Sequence, residues 1–329
     1  MVLDRYNCSM TRQMLSTTVV IALLAFGCVA DVPQQATELT AATGLENGSF
    51  TATLNGHEIH YEIHGTGPTL MTVPNSWGLT LSGLRALYRP LEERLTLVYF
   101  DPRGMGGSGP VVEDTDMSLA AVRDDFDALR LHLELDRVNA IGWSNGATNL
   151  AFLASERPEI LASAIFVHGV SRATAEDFAG FATDYPEWAA ASAALQQYMA
   201  RDDVTEEQKT DRFRRFNLEE AFPYLFADPE AGRRILAEAW AEVGFSVRHG
   251  TYSQQELGLF DLSEQIAAIS ARSLVLAGAH DLLPPDRAEE ISTGVADGEF
   301  LLFENSGHFA QLEEPAAFLA AVVGFLDEG

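Results

Sequence analysis

Basic residues are scarce in this chain: 21 lysines and arginines stand against 48 aspartates and glutamates, a formal net charge of −27. Nucleic acids and anionic membrane faces are bound through clusters of lysine and arginine, so neither is expected as a partner. Cysteine is scarcer still. Cys8 and Cys28 both lie in the first thirty residues, so no disulfide staples the folded body and stability must come from packing. The apolar run from Val19 through Phe26 is too short to span a membrane comfortably, which takes about 20 residues. There is no internal repeat, no low-complexity tract, no metal cluster and no phosphate-binding glycine loop, so no metal and no cofactor are expected.

What is present is a chain of 329 residues, 47% hydrophobic. That is enough for one large domain, or a core domain carrying an insertion. Residues 1–30 read as a secretory signal: Arg5 and Arg12, the apolar run, then the small residues Gly27, Cys28 and Ala30. Met10 and Met14 are equally available as the start. Cleavage after Ala30 releases a soluble protein. Alternatively, Leu24-Ala25-Phe26-Gly27-Cys28 resembles a degenerate bacterial lipoprotein box in which Cys28 takes the lipid, the one route to a membrane. Either way the product is expected to be exported, periplasmic or extracellular. Residues 31–48 read as a linker.

Regular structure is expected after the linker. Phe50 to Leu54 and His57 to His64 alternate apolar and polar residues around Asn55-Gly56, the strongest short-range hairpin signal. Leu70 to Val73 and Leu95 to Phe100 read as strands, with a helix over Leu79 to Arg94 between them. Leu119, Val122, Phe126, Leu129 and Leu133 mark one helix face. Strands then recur at Val138 to Ile141 and Ile160 to Val167. Alternation of strand and helix predicts a mostly parallel sheet covered on both sides. From about Ser171 to Gly258 the pattern turns helical, charged and aromatic, with no convincing strand. We expect residues 171–258 to form a helical cap over a core made of residues 49–170 and 259–329. In the second part of that core, Ser273 to Ala277 and Glu299 to Phe303 are strands, Pro284 to Thr293 is a helix, and Pro315 opens the last helix.

Ser144 stands between two glycines in Gly142-Trp143-Ser144-Asn145-Gly146, where a strand pattern gives way to a helical one. A side chain at such a corner stands clear of its neighbours, and the flanking glycines let the two backbones pass closely. A serine hydroxyl is a poor nucleophile until a base takes its proton, and a carboxylate best orients that base. His308, in Asn305-Ser306-Gly307-His308-Phe309, follows the last strand, and Asp281 follows the strand before it. His168 also follows a strand but has no acid nearby in sequence. Loops at the carboxyl ends of parallel strands share one edge of the sheet, where open α/β proteins place their sites. Ser144, Asp281 and His308 are therefore expected to converge, in the chain order of a hydrolase with this corner.

With these motifs in that order, the chain resembles the α/β-hydrolase fold family over roughly residues 48–329. The carriers are Gly142-Trp143-Ser144-Asn145-Gly146, Asp101-x-Arg103-Gly104-x-Gly106-x-Ser108, Gly278-x-x-Asp281, and Ser306-Gly307-His308-Phe309 followed by Glu313-Glu314-Pro315. The resemblance implies Ser144 as nucleophile, His308 as base and Asp281 as orienting acid. It also implies an oxyanion hole from the backbone N–H of Asn145 and a second N–H at Ser76, with Asn75 as the fallback. The usual His-Gly of that second loop is replaced here by Pro74-Asn75. Asn75, Trp77 and Trp143 are candidate pocket residues, packing under the cap being the alternative for Trp77.

The likeness is greatest to prolyl aminopeptidase-like members, whose cap carboxylates hold a free amino terminus. Glu219, Glu220, Glu238 and Glu242 are available but match no motif, and solvated helix charge is their other reading. The expected activity is hydrolysis of a small ester, lactone, amide or short peptide through an acyl-enzyme. A prolyl-type aminopeptidase and a non-catalytic binder on the same fold are the alternatives.

Overall fold

The computed structural model describes residues 44–75 and 77–328. The expected signal, most of the linker, both cysteines and Ser76 lie outside the described residues. The chain opens with β1 (Gly48–Leu54) and β2 (His57–Gly65), which pair antiparallel with Leu54 opposite His57. Asn55 and Gly56 between them both have positive φ, 50° and 84°. That is the mirror-image turn whose twist matches a two-residue hairpin, and it is why Asn-Gly stands there.

β3 (Thr69–Val73), α1 (Leu81–Tyr88), β4 (Thr96–Phe100), α2 (Leu119–His132), β5 (Val138–Trp143), α3 (Asn145–Glu156) and β6 (Leu161–Val167) follow. The helix expected over Leu79 to Arg94 is shorter. Leu79 is held in a bridge to Phe245, Thr80 caps α1, and Pro90 opens a tighter 3-10 stretch at Arg89–Glu93. Next come β7 (Arg172–Ala173), α4 (Ala175–Asp184), α5 (Pro186–Met199), α6 (Glu206–Arg215), α7 (Pro229–Ala239), α8 (Val247–Leu257) and β8 (Phe260–Asp261). The two-residue strands β7 and β8 pair antiparallel at the base of this helical stretch. The first of them falls in a segment expected to hold no strand, being too short to leave a period in the sequence. α9 (Ser263–Ala268), β9 (Arg272–Gly278), α10 (Pro285–Gly294), β10 (Gly298–Phe303), α11 (Ala310–Glu313) and α12 (Pro315–Asp327) complete the chain.

Eight strands form one sheet in the order β1-β2-β4-β3-β5-β6-β9-β10, parallel from β4 onward. Because both faces are covered, β4 is buried at all five positions, as parallel strands between helix layers are. Successive residues of each central strand feed opposite cores. Leu70, Leu97, Ile141 and Leu276 join α1, α12 and the aromatic residues of α6 to α7. Met71, Val98, Ala140 and Val275 join α2, α3, α9 and α10.

Strand order reverses at β3: the chain leaves it for β4 on one side and later returns to β5 on the other. Connections leave in opposite directions there, opening a crevice at the carboxyl ends of β3 and β5. Pro74 and Asn75 follow the carboxyl end of β3, and Ser144 follows that of β5. Among the described residues no helix is long and apolar enough to cross a membrane.

Candidate active site

Ser144 links β5 to α3 with φ 55° and ψ −121°, a region an L-residue visits only under constraint. Two glycines permit the corner. A Cβ on Gly142 would stand 2.4 Å from the Gly146 carbonyl oxygen, and one on Gly146 would stand 2.7 Å from that of Val73. Neither approach is open to a larger residue. The Ser144 N–H donates to the Val167 carbonyl at 2.8 Å, tying the corner to the end of β6. Asn145 is the first residue of α3, so its N–H has no acceptor within the helix and lies at the positive end of the dipole.

Asp281 and His308 meet across the loops after β9 and β10. His308 Nδ1 is 2.7 Å from Asp281 Oδ2, and Asp281 Oδ1 accepts the Leu283 N–H at 2.9 Å. With Nδ1 donating to the carboxylate, Nε2 is left as the lone-pair nitrogen of a neutral imidazole. Burial works against ionisation of Asp281. The positive charge that His308 carries once protonated and hydrogen bonds from two imidazoles outweigh it and hold the carboxyl well below the usual carboxylate range. The second imidazole belongs to His168, whose Nδ1 is 3.1 Å from the same oxygen.

Sequence reasoning set His168 aside for want of a nearby acid. The sheet supplies one. Val167 pairs with Trp143 on one side and Leu276 on the other, so the residue after β6 lies between the ends of β5 and β9. A histidine directly beyond a buried strand is the signal that could have found it.

The loop carrying His308 is clamped on every side. The His308 N–H donates to the Leu225 carbonyl at 2.6 Å, and the Trp143 indole N–H donates to the His308 carbonyl at 2.9 Å. Glu313 accepts the Gly307 and Ala227 N–H groups, each at 2.8 Å, while Glu314 accepts the Ser306 hydroxyl at 2.6 Å. Burial raises Glu313 above the ordinary range for a glutamate, against the pull of those N–H donors. Thus the Glu313-Glu314 pair of the sequence motif belongs to the support of His308.

The other singled-out residues fall in two groups. Asn75 is fully buried: its side chain donates to the Trp143 carbonyl at 3.4 Å and accepts the Trp77 N–H at 2.8 Å. Trp143 is 2% exposed, with its ring 5.3 Å from that of His308 and 5.0 Å from Phe309. Both shape the site from within, and Trp77 is half-buried beside them. The Asp101 loop follows β4 and is committed to internal contacts. Asp101 is buried and accepts the N–H groups of Leu81 and Gly107, and Arg103 makes a two-pronged pair with Asp125 at 2.7 Å. These contacts hold the loop between β4 and α2.

Ligating atoms of His168, Asp281 and His308 lie within 4.8 Å of one another, near enough to share a cation. Both Nδ1 atoms instead hydrogen-bond one Asp281 oxygen, and a metal there would displace those protons. The donor set fits proton handling.

A serine at a strained strand-to-helix corner, with a carboxylate-bound imidazole at the same sheet edge, is the arrangement against which comparison with known proteins is informative. The family model described as alpha/beta hydrolase fold matches residues 74–315. The chain belongs to that family. It is a hydrolase, and its similarity extends to named enzymes. The putative carbamate hydrolase RutD of Rhizobium rhizogenes is 26% identical over 275 residues, covering 82% of this chain and 97% of the relative. A proline iminopeptidase of Heyndrickxia coagulans is 26% identical over 293 residues, covering 81% and 93%. Among solved structures, an alpha/beta fold family hydrolase from Bacillus anthracis superposes with a TM-score of 0.67 at 17% identity, covering 85% of this chain and 99% of that one.

Proposed function

We propose that this hydrolase cleaves a small ester, lactone or amide through an acyl-enzyme on Ser144, with His308 as base and Asp281 as orienting acid. The observation that carries the reading is the 2.7 Å contact between His308 Nδ1 and Asp281, formed at the edge where Ser144 turns. The Ser144 hydroxyl attacks the carbonyl carbon and its proton passes to His308 Nε2. The tetrahedral oxyanion is held by the Asn145 N–H and a second backbone N–H at Ser76, with Asn75 as the fallback. Collapse breaks the acyl bond, and the leaving alkoxide or amine takes the proton from His308. Water, deprotonated by His308, then releases the acid and restores Ser144. Asp281 stays ionised throughout and stabilises the imidazolium.

The aminopeptidase reading has one support, the likeness to proline iminopeptidases. A free ammonium group would need an uncommitted carboxylate turned toward Ser144. Of the four cap glutamates singled out above, Glu219, Glu238 and Glu242 are exposed, and Glu220 is paired with Arg212 at 3.0 Å. We therefore favour the acyl substrate without a free amine. Residues 1–30 support export of the enzyme, with Cys28 as lipid acceptor in the lipoprotein form.

A fluorophosphonate probe should label Ser144, and p-nitrophenyl esters should be hydrolysed faster than aminoacyl p-nitroanilides. Turnover confined to substrates with a free amine would overturn the ester reading. Failure to label Ser144 in folded protein would leave a non-catalytic binder.

A further inference from the structure

Beyond Ser144, His308 and Asp281, a second buried histidine, His168, touches the same carboxylate. We infer that His168 is a positioning residue for this reaction: it gives Asp281 a second, permanently neutral N–H donor, which fixes the carboxylate for His308. The inference rests on the proposed function, and its geometry is independent of it.

His168 is 2% exposed. Its Nε2 accepts the Ala310 N–H at 3.3 Å, so the ring proton must be on Nδ1, which faces Asp281 Oδ2 at 3.1 Å. Protonating Nε2 would set two donors against each other, so this contact holds the ring neutral. Burial acts in the same direction, lowering the pKa of His168 against the opposing pull of Asp281. The titratable groups acting on it are Asp281 and His308, and Asp281 in turn adds to the upward shift of Glu313. One oxygen of Asp281 thus accepts from two imidazoles of unlike character. The His308 ring gains and loses a proton in each cycle, whereas the His168 ring does not.

The backbone is committed to this placement as well. His168 has φ 50°, a left-handed conformation uncommon for a non-glycine residue. Its N–H donates to the Leu276 carbonyl at 2.7 Å. The side chain is thereby aimed between β9 and α11, touching the acid through one nitrogen and the element after His308 through the other. The two histidine rings are 5.2 Å apart, and the His168 side chain is fully buried. Its effect is on the base, through the acid. With its N–H gone, the Asp281 charge is shared with fewer donors and its attraction for the His308 imidazolium rises.

The test compares full-length wild type, His168→Leu and His168→Asn on p-nitrophenyl acetate from pH 5 to 9. Asparagine restores an N–H at the position of Nδ1 without reaching Ala310, and it tolerates the left-handed backbone. We expect His168→Leu to lose roughly tenfold or more in kcat with KM within about twofold, and the acid limb of its kcat/KM profile to move up by about half a pH unit. In His168→Asn, kcat should return to within about threefold of wild type and the profile to its original position. A leucine variant with wild-type rate and profile, or leucine and asparagine variants equally impaired, overturns the inference.

Where the leucine variant does not fold, 15N spectra of the histidine rings decide. His168, assigned by its loss in His168→Asn, should remain Nδ1-protonated and neutral from pH 5 to 9. Titration in that range refutes the proposed role. Absence of both labelling and turnover in wild type would sink the proposed function instead, and the ring spectra would still stand or fall alone.

Discussion

Replacing Ser144 by glycine and by alanine separates the chemistry of the corner from its strain. Both variants remove the proposed nucleophile, so both should abolish turnover. They differ in backbone. Alanine must keep φ 55° and ψ −121°, conformations that cost on the order of 1–3 kcal/mol for an L-residue with a Cβ. Glycine is free of that cost but loses roughly 0.5–1 kcal/mol through the greater freedom of its unfolded chain. The net expectation is that Ser144→Gly is more stable than Ser144→Ala by about 0.5–2 kcal/mol, a few degrees in Tm for a domain of this size. Guanidinium unfolding followed by tryptophan fluorescence can measure the difference, since Trp143 and Trp240 are both buried. A glycine variant no more stable than the alanine variant would refute the claim that the fold holds this serine under strain. Turnover surviving in either variant would refute its role as nucleophile.

Asp281→Asn should leave the fold intact and lower kcat by roughly 10³–10⁴-fold, short of the loss in Ser144→Ala, because the acid orients the base without reacting; a rate within tenfold of wild type would count against it. Gly142→Ala puts a Cβ 2.4 Å from the Gly146 carbonyl, so we expect a loss of roughly 1–3 kcal/mol in denaturant unfolding together with most activity. Unchanged stability would mean that the corner is looser than described. His249 is buried, which lowers its pKa to about 4. Above its ordinary value of about 6.5 it is neutral in both folded and unfolded chains. Below that, the unfolded chain binds a proton that the folded one refuses, so stability falls as pH drops from 6.5 toward 4, by up to roughly 3 kcal/mol. His249→Leu should flatten that limb, and the same change in urea midpoint between pH 7 and pH 5 in both proteins would exclude His249 as its source.

The fold was legible because its signals are local and repeated. Strand and helix alternate from Thr69 to Val167 and again from Arg272, Asn55-Gly56 marks the hairpin, and Pro315 opens the last helix. The positions proposed for the site have a related signal: Ser144, Asp281 and His308 stand in the loops after β5, β9 and β10, and a parallel sheet brings such loops to one edge. The helical stretch between β6 and β9 was less legible. Its aromatic residues Phe213, Phe222, Phe226 and Trp240 merge with the core containing Trp143 and Phe309, and a run of helical pattern does not say which face of the sheet it covers.

By itself, then, the sequence determined the order of elements, the covered parallel sheet and the serine corner, since these follow from propensity, period and glycine placement along the chain. Only the tertiary structure decided which groups meet. His168 and Asp281 are 113 residues apart and touch because β6 and β9 are neighbours in the sheet. The His308 loop is held by Leu225 and Glu313 from two separate elements. Strand order is a long-range choice, and no stretch of sequence records its neighbour across the sheet.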